Sequence, residues 1–445
     1  MKPYRIIGLS TLAMLLAAQP HSLNSQEAYD LQTCLRVGLE RNYDIRIAHG
    51  EQSISQNNVT WGNAGFLPTL DATAGYNGTL NNQTHQTHRD GTTTRTNNIL
   101  NQGANLGLNV SWTVFDGLQM QTNYQRLKQF AQMGELNTQI AIDDCITDLT
   151  AEYNNHVYQL LRLRNLQNAV ALSRERLRIA EAKYEIGTDS RLDMLQARVD
   201  LNADSSELTK QQERVSTSGV NLNRLMALDN IAQDIRITDT HIALNTALSE
   251  THLLQALKLH NTQLHIAHQN TLVSELDYKA LKGRNYPYLR LNSGYGYTIN
   301  HYGTGNTKRQ NNLGLTYGLT LGVNIFDGSN RRREQRNARI VIENRQLQYE
   351  QLELTLHADF TNIWIAYRNN LDLLTLEQEN LASALENHQI AIERYRLGDL
   401  AGIQLREAQN SLLGAQERLL QAEFNTKLCE ISLMQITGQA TQYLK

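Results

Sequence analysis

Apolar and polar residues alternate with a period of two in four separate stretches of the chain. The first sets Leu70, Ala72, Ala74, Tyr76 and Leu80 against Asp71, Thr73, Gly75, Asn77 and Thr79. The second sets Leu106, Leu108, Val110, Trp112 and Val114 against Asn105, Gly107, Asn109, Ser111 and Thr113. In the third, Leu289, Leu291, Tyr295, Tyr297 and Ile299 oppose Arg290, Asn292, Gly294, Gly296 and Thr298. The fourth runs without a break: Leu313, Leu315, Tyr317, Leu319, Leu321, Val323 and Ile325 against Gly314, Thr316, Gly318, Thr320, Gly322 and Asn324. Such alternation predicts strands with one apolar and one polar face. A half-buried strand of a soluble sheet gives the same pattern. These stretches run 11 to 13 residues, whereas a soluble strand has about 5–6 and a tilted membrane strand about 9–11. Tyr76, Trp112, Tyr288, Tyr297 and Phe326 lie toward their ends, where a membrane barrel carries aromatic girdles. The polar intervals 81–102 and 301–312 predict long loops on the outer, aqueous side.

Between strand pairs the period changes to three and four. Met120, Tyr124, Leu127, Ala131, Leu136, Ile140, Leu149, Tyr153, Val157 and Leu160 mark one face of a proline-free stretch from Gly117 to Tyr184. These 68 residues would make a helix roughly 100 Å long at ~1.5 Å per residue. Gly328 to Tyr395 is again 68 residues. Such lengths point to coiled coils. Each ends where a glycine among small or polar residues reverses the chain, at tips 184–190 and 395–401. Shorter helices return over about 190–229 and 402–436, and helices over about 27–66 and 249–284 lead into the strands.

The chain is written twice. Pro68 and Pro287 lie 219 residues apart, and Asn42, Ala48 and His49 return as Asn261, Ala267 and His268 at the same offset. Phe115-Asp116-Gly117 returns as Phe326-Asp327-Gly328, and Tyr184-x-x-Gly187 as Tyr395-x-x-Gly398, both at 211. A shared order with one local length change marks a duplicated supersecondary unit. The domains expected are a first repeat over 26–229, a mid-height connector over 230–248 and a second repeat over 249–445, with strand pairs near 69–115 and 288–326.

Residues 1–25 read as a secretory signal peptide, with Lys2 and Arg5 before an apolar run from Ile6 to Ala18. Without them 39 basic residues face 44 acidic ones, a net charge of -5, which does not suggest a nucleic-acid binder. After the leader no apolar run reaches 18 residues, so membrane entry would require a closed barrel. Four strands cannot close one, and the smallest membrane barrels use about eight. At least two chains must therefore share it, and the residues alone leave two or three open. Cys34, Cys145 and Cys429 have no metal-like spacing and read as buried small residues. A bridge between Cys34 and Cys429 stays open, since both fall near one level.

Proline-led strand pairs, Phe-Asp-Gly at the strand-to-helix junction, Tyr-x-x-Gly at the helical turn and the duplicated order together resemble the TolC-like outer-membrane factor family, over essentially all of the chain after the leader. The resemblance implies a mixed α and β membrane protein: a homotrimer with a 12-stranded barrel and a 12-helix periplasmic tunnel. It implies a passive exit duct in the outer membrane, with no cofactor and no catalytic site, working with a periplasmic adaptor and an inner-membrane pump. The family's entrance is narrowed by acids past the helical turns, and the matching positions are Asp193 and Gln404, with Glu407 one helical turn on. Gln404 is neutral where the family often has an acid, so a single acidic ring from Glu407 is expected in the second repeat. Tyr395 and Asp193 are candidates for a hydrogen bond holding neighbouring tips closed, with Arg191 and Arg406 as nearby partners. The adaptor would meet the tips at Ile186, Gly187 and Thr188, and at Leu397, Gly398 and Asp399. Phe115, Asp116, Gly117, Phe326, Asp327 and Gly328 would form the strand-helix junctions.

Other features carry less. Arg331, Arg332, Arg333, Arg336 and Arg339 form the one basic cluster, read as a solvated helix face or as a contact with lipid headgroups where barrel meets periplasm. His265 and His268 have helical spacing without further metal ligands, and no nucleophile elbow is present. A periplasmic coiled-coil adaptor is the alternative to the duct, but should lack four lipid-facing strands. An enzyme on a helical scaffold would need a clustered acid, base or metal site that the sequence does not offer.

Overall fold

The computed structural model describes residues 28–188 and 190–444. The expected leader, and Asp189 of the first tip, lie outside the described residues. The first repeat comprises β1 (Ala28–Tyr29), α1 (Leu31–Arg41), α2 (Tyr43–Asn57), α3 (Trp61–Ala64), β2 (Thr69–Thr87), β3 (Thr93–Phe115), α4 (Gln119–Glu185) and α5 (Arg191–Leu225). After β4 (Arg236–Ile237), the second comprises α6 (Glu250–His260), α7 (Thr262–Gly283), β5 (Tyr288–His301), β6 (Arg309–Gly322), α8 (Asn330–Leu397) and α9 (Gly402–Ile436), followed by a 3-10 turn at Ala440–Leu444. The four long strands form one antiparallel sheet in the order β2-β3-β5-β6, while β1 and β4 pair in parallel in a separate two-stranded sheet.

Three expectations need correction. The interval 301–312 is a shorter turn, since β6 begins at Arg309 opposite His301 and residues 309–312 pair with β5. The interval 81–102 is not a loop: β2 pairs with β3 as far as Thr87 opposite Thr93. Only residues 88–92 turn, held by the His88 N–H on the Thr92 carbonyl and by the Thr92 N–H on Asp90 Oδ1. Hydrophobic alternation cannot report a ribbon that is polar on both faces, although its threonines favour strand geometry. The strand-leading helices are also not continuous, because asparagines break them at 42 and 261.

Those asparagines explain the repeated sequence around them. Asn42 Oδ1 accepts the Asp44 and Ile45 N–H groups, and its Nδ2 donates to the Leu225 carbonyl at 3.3 Å. Asn261 Oδ1 accepts the Leu264 N–H, and its Nδ2 donates to the Ile436 carbonyl at 2.8 Å. Each side chain thus caps the start of one helix and satisfies an orphan carbonyl at the end of another. In this way α5 stacks on α2 and α9 stacks on α7, and two short helices together match one long one.

The core lies at mid-height, where connector, first helices and C-terminal turn meet the long helices. Leu35, Ile146, Leu149, Tyr153, Leu222 and Met226 bury one cluster, and Leu257, Phe360, Trp364, Tyr367 and Leu433 a second. Cys34 belongs to the first and Cys429 packs on the second; all three cysteines are free, so the bridge left open does not form. Burial pushes the Cys34 thiol up to about 12 and that of Cys145 to about 11. Glu430 gathers the belt: it takes Lys427 Nζ at 2.7 Å, the Tyr443 hydroxyl at 3.0 Å and the Asn245 N–H at 3.0 Å.

Replacing Asn42 or Asn261 by Ala should lower stability by about 1 kcal/mol each, the usual cost of losing such a cap. Thermal unfolding in detergent should show both losses. If neither variant differs from the parent, these side chains do not hold the helix stacks.

Candidate functional site

The sheet separates two chemistries. Leu106, Leu108 and Trp112 of β3 lie opposite Tyr297, Tyr295 and Leu291 of β5, and these lie opposite Leu313, Leu315 and Leu319 of β6. This face is bare: Tyr317 is 83 % exposed and Leu321 74 %. A contiguous exposed apolar face of this size belongs against lipid or another apolar surface. The opposite face carries amides, hydroxyls and glycines. Thr73, Gly107, Gly296 and Gly314 make one row across it. In neighbouring rows amides lie flat over glycines, Asn77 and Asn300 over Gly103 and Asn105 over Gly75. The result is a thin polar wall with charge toward its ends, at Asp71 and Arg290 on one side and at Arg95 on the other.

The predicted junctions turn strand into helix as their sequence requires. Asp116 Oδ1 accepts the Gln119 and Met120 N–H groups at 2.9 and 3.2 Å, and Asp327 Oδ2 accepts the Arg331 N–H at 3.0 Å. Gly117 and Gly328 adopt φ of +75° and +72°, which glycine enters without steric cost. At Gly117 a Cβ would also run into the Gly283 carbonyl, so this junction packs directly on the end of α7.

Both tips close with the same hydrogen-bond pattern. Gly187 and Gly398 adopt φ of +80° and +83°; the Thr188 N–H reaches back to the Lys183 carbonyl and the Asp399 N–H to the Arg394 carbonyl, as in a Schellman motif. Ile186 and Leu397 are exposed there, and so are Leu192 and Ile403 in the first turns of α5 and α9. The four form equivalent pairs at the repeat offset of 211. Asp193, Gln404 and Glu407 are exposed near the tips. Asp193 bonds the Ser190 hydroxyl at 2.6 Å and caps its own helix with it; Gln404 turns back toward the Ala401 N–H. Tyr395 is buried, with Lys183 Nζ 4.1 Å above its ring and bonded to its carbonyl.

A buried polar tie joins the repeats above the tips. Arg406 of α9 reaches Asp204 of α5 through two bonds of 2.7 and 2.8 Å, passing Ser173 of α4, whose hydroxyl also donates to Asp204. Arg176 of α4 pairs closely with Asp200 of α5 beside it. Burial would raise the Asp204 carboxyl, but the bonds from Arg406 and Ser173 outweigh it and hold the group below the usual carboxylate range. Among the described residues no three His, Cys, Asp or Glu side chains converge as a metal site would need, and no helix is long and apolar enough to cross a membrane.

A model of the outer membrane efflux protein family matches residues 35–228 and 253–439. The chain belongs to that family. Outer membrane efflux protein BepC of Brucella suis biovar 1 is 20% identical over 350 residues, 76% of this chain and 72% of BepC. The fold is that of solved outer-membrane channels. The Campylobacter jejuni CmeC channel gives a TM-score of 0.75 at 16% identity, covering 98% of this chain and 94% of CmeC. VceC from Vibrio cholerae gives 0.74 at 15%, covering 92% and 96%. The outer-membrane channel OprN gives 0.73 at 18%, covering 92% and 90%. The TolC-like resemblance therefore holds, and the chain shares both the family and the channel fold of these outer-membrane proteins.

Within the efflux-family chain Asp193 accepts the Ser190 hydroxyl, and Arg406, expected beside these tips, is committed to Asp204. Sequence reading missed that tie because its partners lie 202 residues apart. It also missed Leu192 and Ile403, which the 211 offset could have supplied. Arg406→Ala should cost about 3 kcal/mol, because it strands a carboxylate with little access to water, and should speed proteolysis at 170–180 and 402–410. Since the Asp204 value is depressed in the folded state, its contribution is present above the unfolded value of roughly 3.9 and fades as pH falls through the lower folded value. The parent should keep tips resistant to protease down to about pH 4, and equal cleavage of parent and variant at neutral pH would refute the tie.

Proposed function

We propose that three copies of this chain form the outer-membrane exit duct of a tripartite efflux or secretion assembly, with four strands per chain giving a 12-stranded barrel. The observation that carries this reading is a sheet with one exposed apolar face and two unpaired edges, β2 and β6. In lipid those edges must pair, and only neighbouring chains can pair them. The helices supply a matching seam. Ile340, Leu347 and Leu354 stand exposed seven residues apart on α8, as do Ile47 and Ile54 on α2 with Trp61 beyond. Such rows suit a coiled-coil contact with the next chain. A periplasmic adaptor would have no use for the exposed apolar sheet, so that alternative is disfavoured.

The tips then face the periplasm, where Ile186 and Leu192, and Leu397 and Ile403, offer apolar pairs beside Gly187 and Gly398 to an adaptor leading to an inner-membrane pump. Thr188 and Asp399 complete these docking turns. Asp193 and Glu407 place carboxylates near the entrance, with Gln404 neutral and Tyr395 packed behind them. Convergence of symmetry-related carboxylates on an axis favours cations and sets up a strong local field.

In planar bilayers the purified protein should give small, cation-selective steps. Glu407→Ala should enlarge them and reduce the selectivity; a silent bilayer, or unchanged steps in the variant, would contradict the gate. Ile186→Asp combined with Leu397→Asp should weaken capture of the adaptor at least tenfold while leaving conductance intact. Undiminished capture would remove the tips from the docking surface.

A further inference from the structure

The basic cluster at the start of α8 is not required by the helix it begins. A helix N-terminus favours acids, because the macrodipole is positive there, yet α8 opens with Arg331, Arg332 and Arg333 and has no acid in its first turn. The first repeat supplies an internal control. At the 211 offset, α4 carries Met120, Gln121, Thr122 and Gln125 where α8 carries Arg331, Arg332, Arg333 and Arg336. Both segments form long helices at equivalent junctions, so the junction does not need these charges.

Two of the cluster's cations have internal partners. Arg331 pairs with Asp327 and bonds the Arg284 and Asn324 carbonyls, and Arg339 Nε bonds the Tyr278 hydroxyl at 2.9 Å. The nearest acid, Glu334, is taken by Arg284 at 2.6 Å. Arg332 and Arg336 are exposed and make no ion pair among the described residues. They share one side of α8 with Arg339, at positions three, four and seven apart. Lys282 of α7 joins them, with its Nζ 4.6 Å from the Tyr278 ring on which Arg339 also rests. The positive stripe spans roughly 10 Å of helix axis, and the next residue on it is acidic, Glu343.

Its level is that of the strand ends. The exposed Ile325 and Phe326 lie just before α8. The counterpart of Arg339 in the first repeat is Lys128, which sits 4.8 Å above the Tyr124 ring. Tyr124 packs at a tilt on Trp61 and Trp61 on Phe66, whose carbonyl accepts the indole N–H of Trp112 from the apolar face of the sheet. In the first repeat, that chain of contacts leads from the equivalent cation to an aromatic on the apolar face of the sheet, the level at which headgroup phosphates would lie in the proposed duct.

We infer that Arg332, Arg336, Arg339 and Lys282 form a docking surface for the phosphate groups of anionic phospholipids in the periplasmic leaflet. The inference rests on the barrel lying in the outer membrane. Guanidinium groups suit this task because they bind phosphate oxygens in pairs and are weakly hydrated.

The test uses full-length protein reconstituted in phosphatidylethanolamine vesicles with and without phosphatidylglycerol. Parent and Arg332→Gln/Arg336→Gln protein are extracted, and the lipid retained by each is identified by native mass spectrometry. The parent should retain phosphatidylglycerol in preference to phosphatidylethanolamine, and the preference should fall roughly fivefold for each arginine removed. An excess of inorganic phosphate should leave it intact. Equal retention by the variant would overturn the inference, and displacement by inorganic phosphate would indicate a free-anion site instead. A change in anion selectivity without a change in lipid retention would place the arginines on the tunnel wall and equally overturn it. Protease protection of the strands, measured on the same vesicles, reports insertion and separates failure of the barrel from failure of the lipid contact.

Discussion

A backbone amide in hydrocarbon has no water to turn to, so it must find its partner within the protein. The sheet β2-β3-β5-β6 meets that demand at its three internal seams and fails it at both edges. Much else in the chain follows from those two edges. In the proposed duct, neighbouring copies pair those edges side by side. The helices below must then continue the circle that the strands begin, which is why each strand pair runs directly into a long helix at Asp116-Gly117 or Asp327-Gly328.

Helices of 67 and 68 residues cannot be stabilised by their ends, so their stability comes from packing along their length. The chain provides it by stacking two shorter helices beside each long one and joining them through a single asparagine. The apolar clusters fix the middle, where the Glu430 network and the C-terminal turn wrap the bundle. Toward the tips the apolar packing thins to a few residues around Tyr395, and charged ties such as Arg406 with Asp204 take over. The bundle is thus held by apolar packing at its middle and by ion pairs toward its tips.

Much of this was legible in the residues because it depends on local chemistry. Phe-Asp-Gly, read as a strand-to-helix junction, sets a capping carboxylate beside a left-handed glycine, and Tyr-x-x-Gly sets a left-handed glycine at a helix stop; both occur twice. The apolar strand faces were legible because lipid requires an apolar residue at every second position. The β2-β3 ribbon beyond residue 81 was not, since Thr84, Gln86, Thr94 and Thr96 on one face and Gln83, His85, Arg95 and Asn97 on the other are all polar and leave no alternation to detect. The breaks at Asn42 and Asn261 were visible as a repeated motif, but their reason lies in the carbonyls of Leu225 and Ile436, distant in sequence. The partnership of Asp204 with Arg406 is likewise set by tertiary contact, and no local pattern announces it.

The account stands or falls on closure of the sheet by identical chains. The mass of the protein released from detergent micelles in a native mass spectrometer tests it most directly, with edge-strand cysteines in β2 and β6 added to trap neighbours. The account predicts three chains per particle and a cross-linked ladder ending at three. A stable particle of one or two chains that still conducts in bilayers would contradict it.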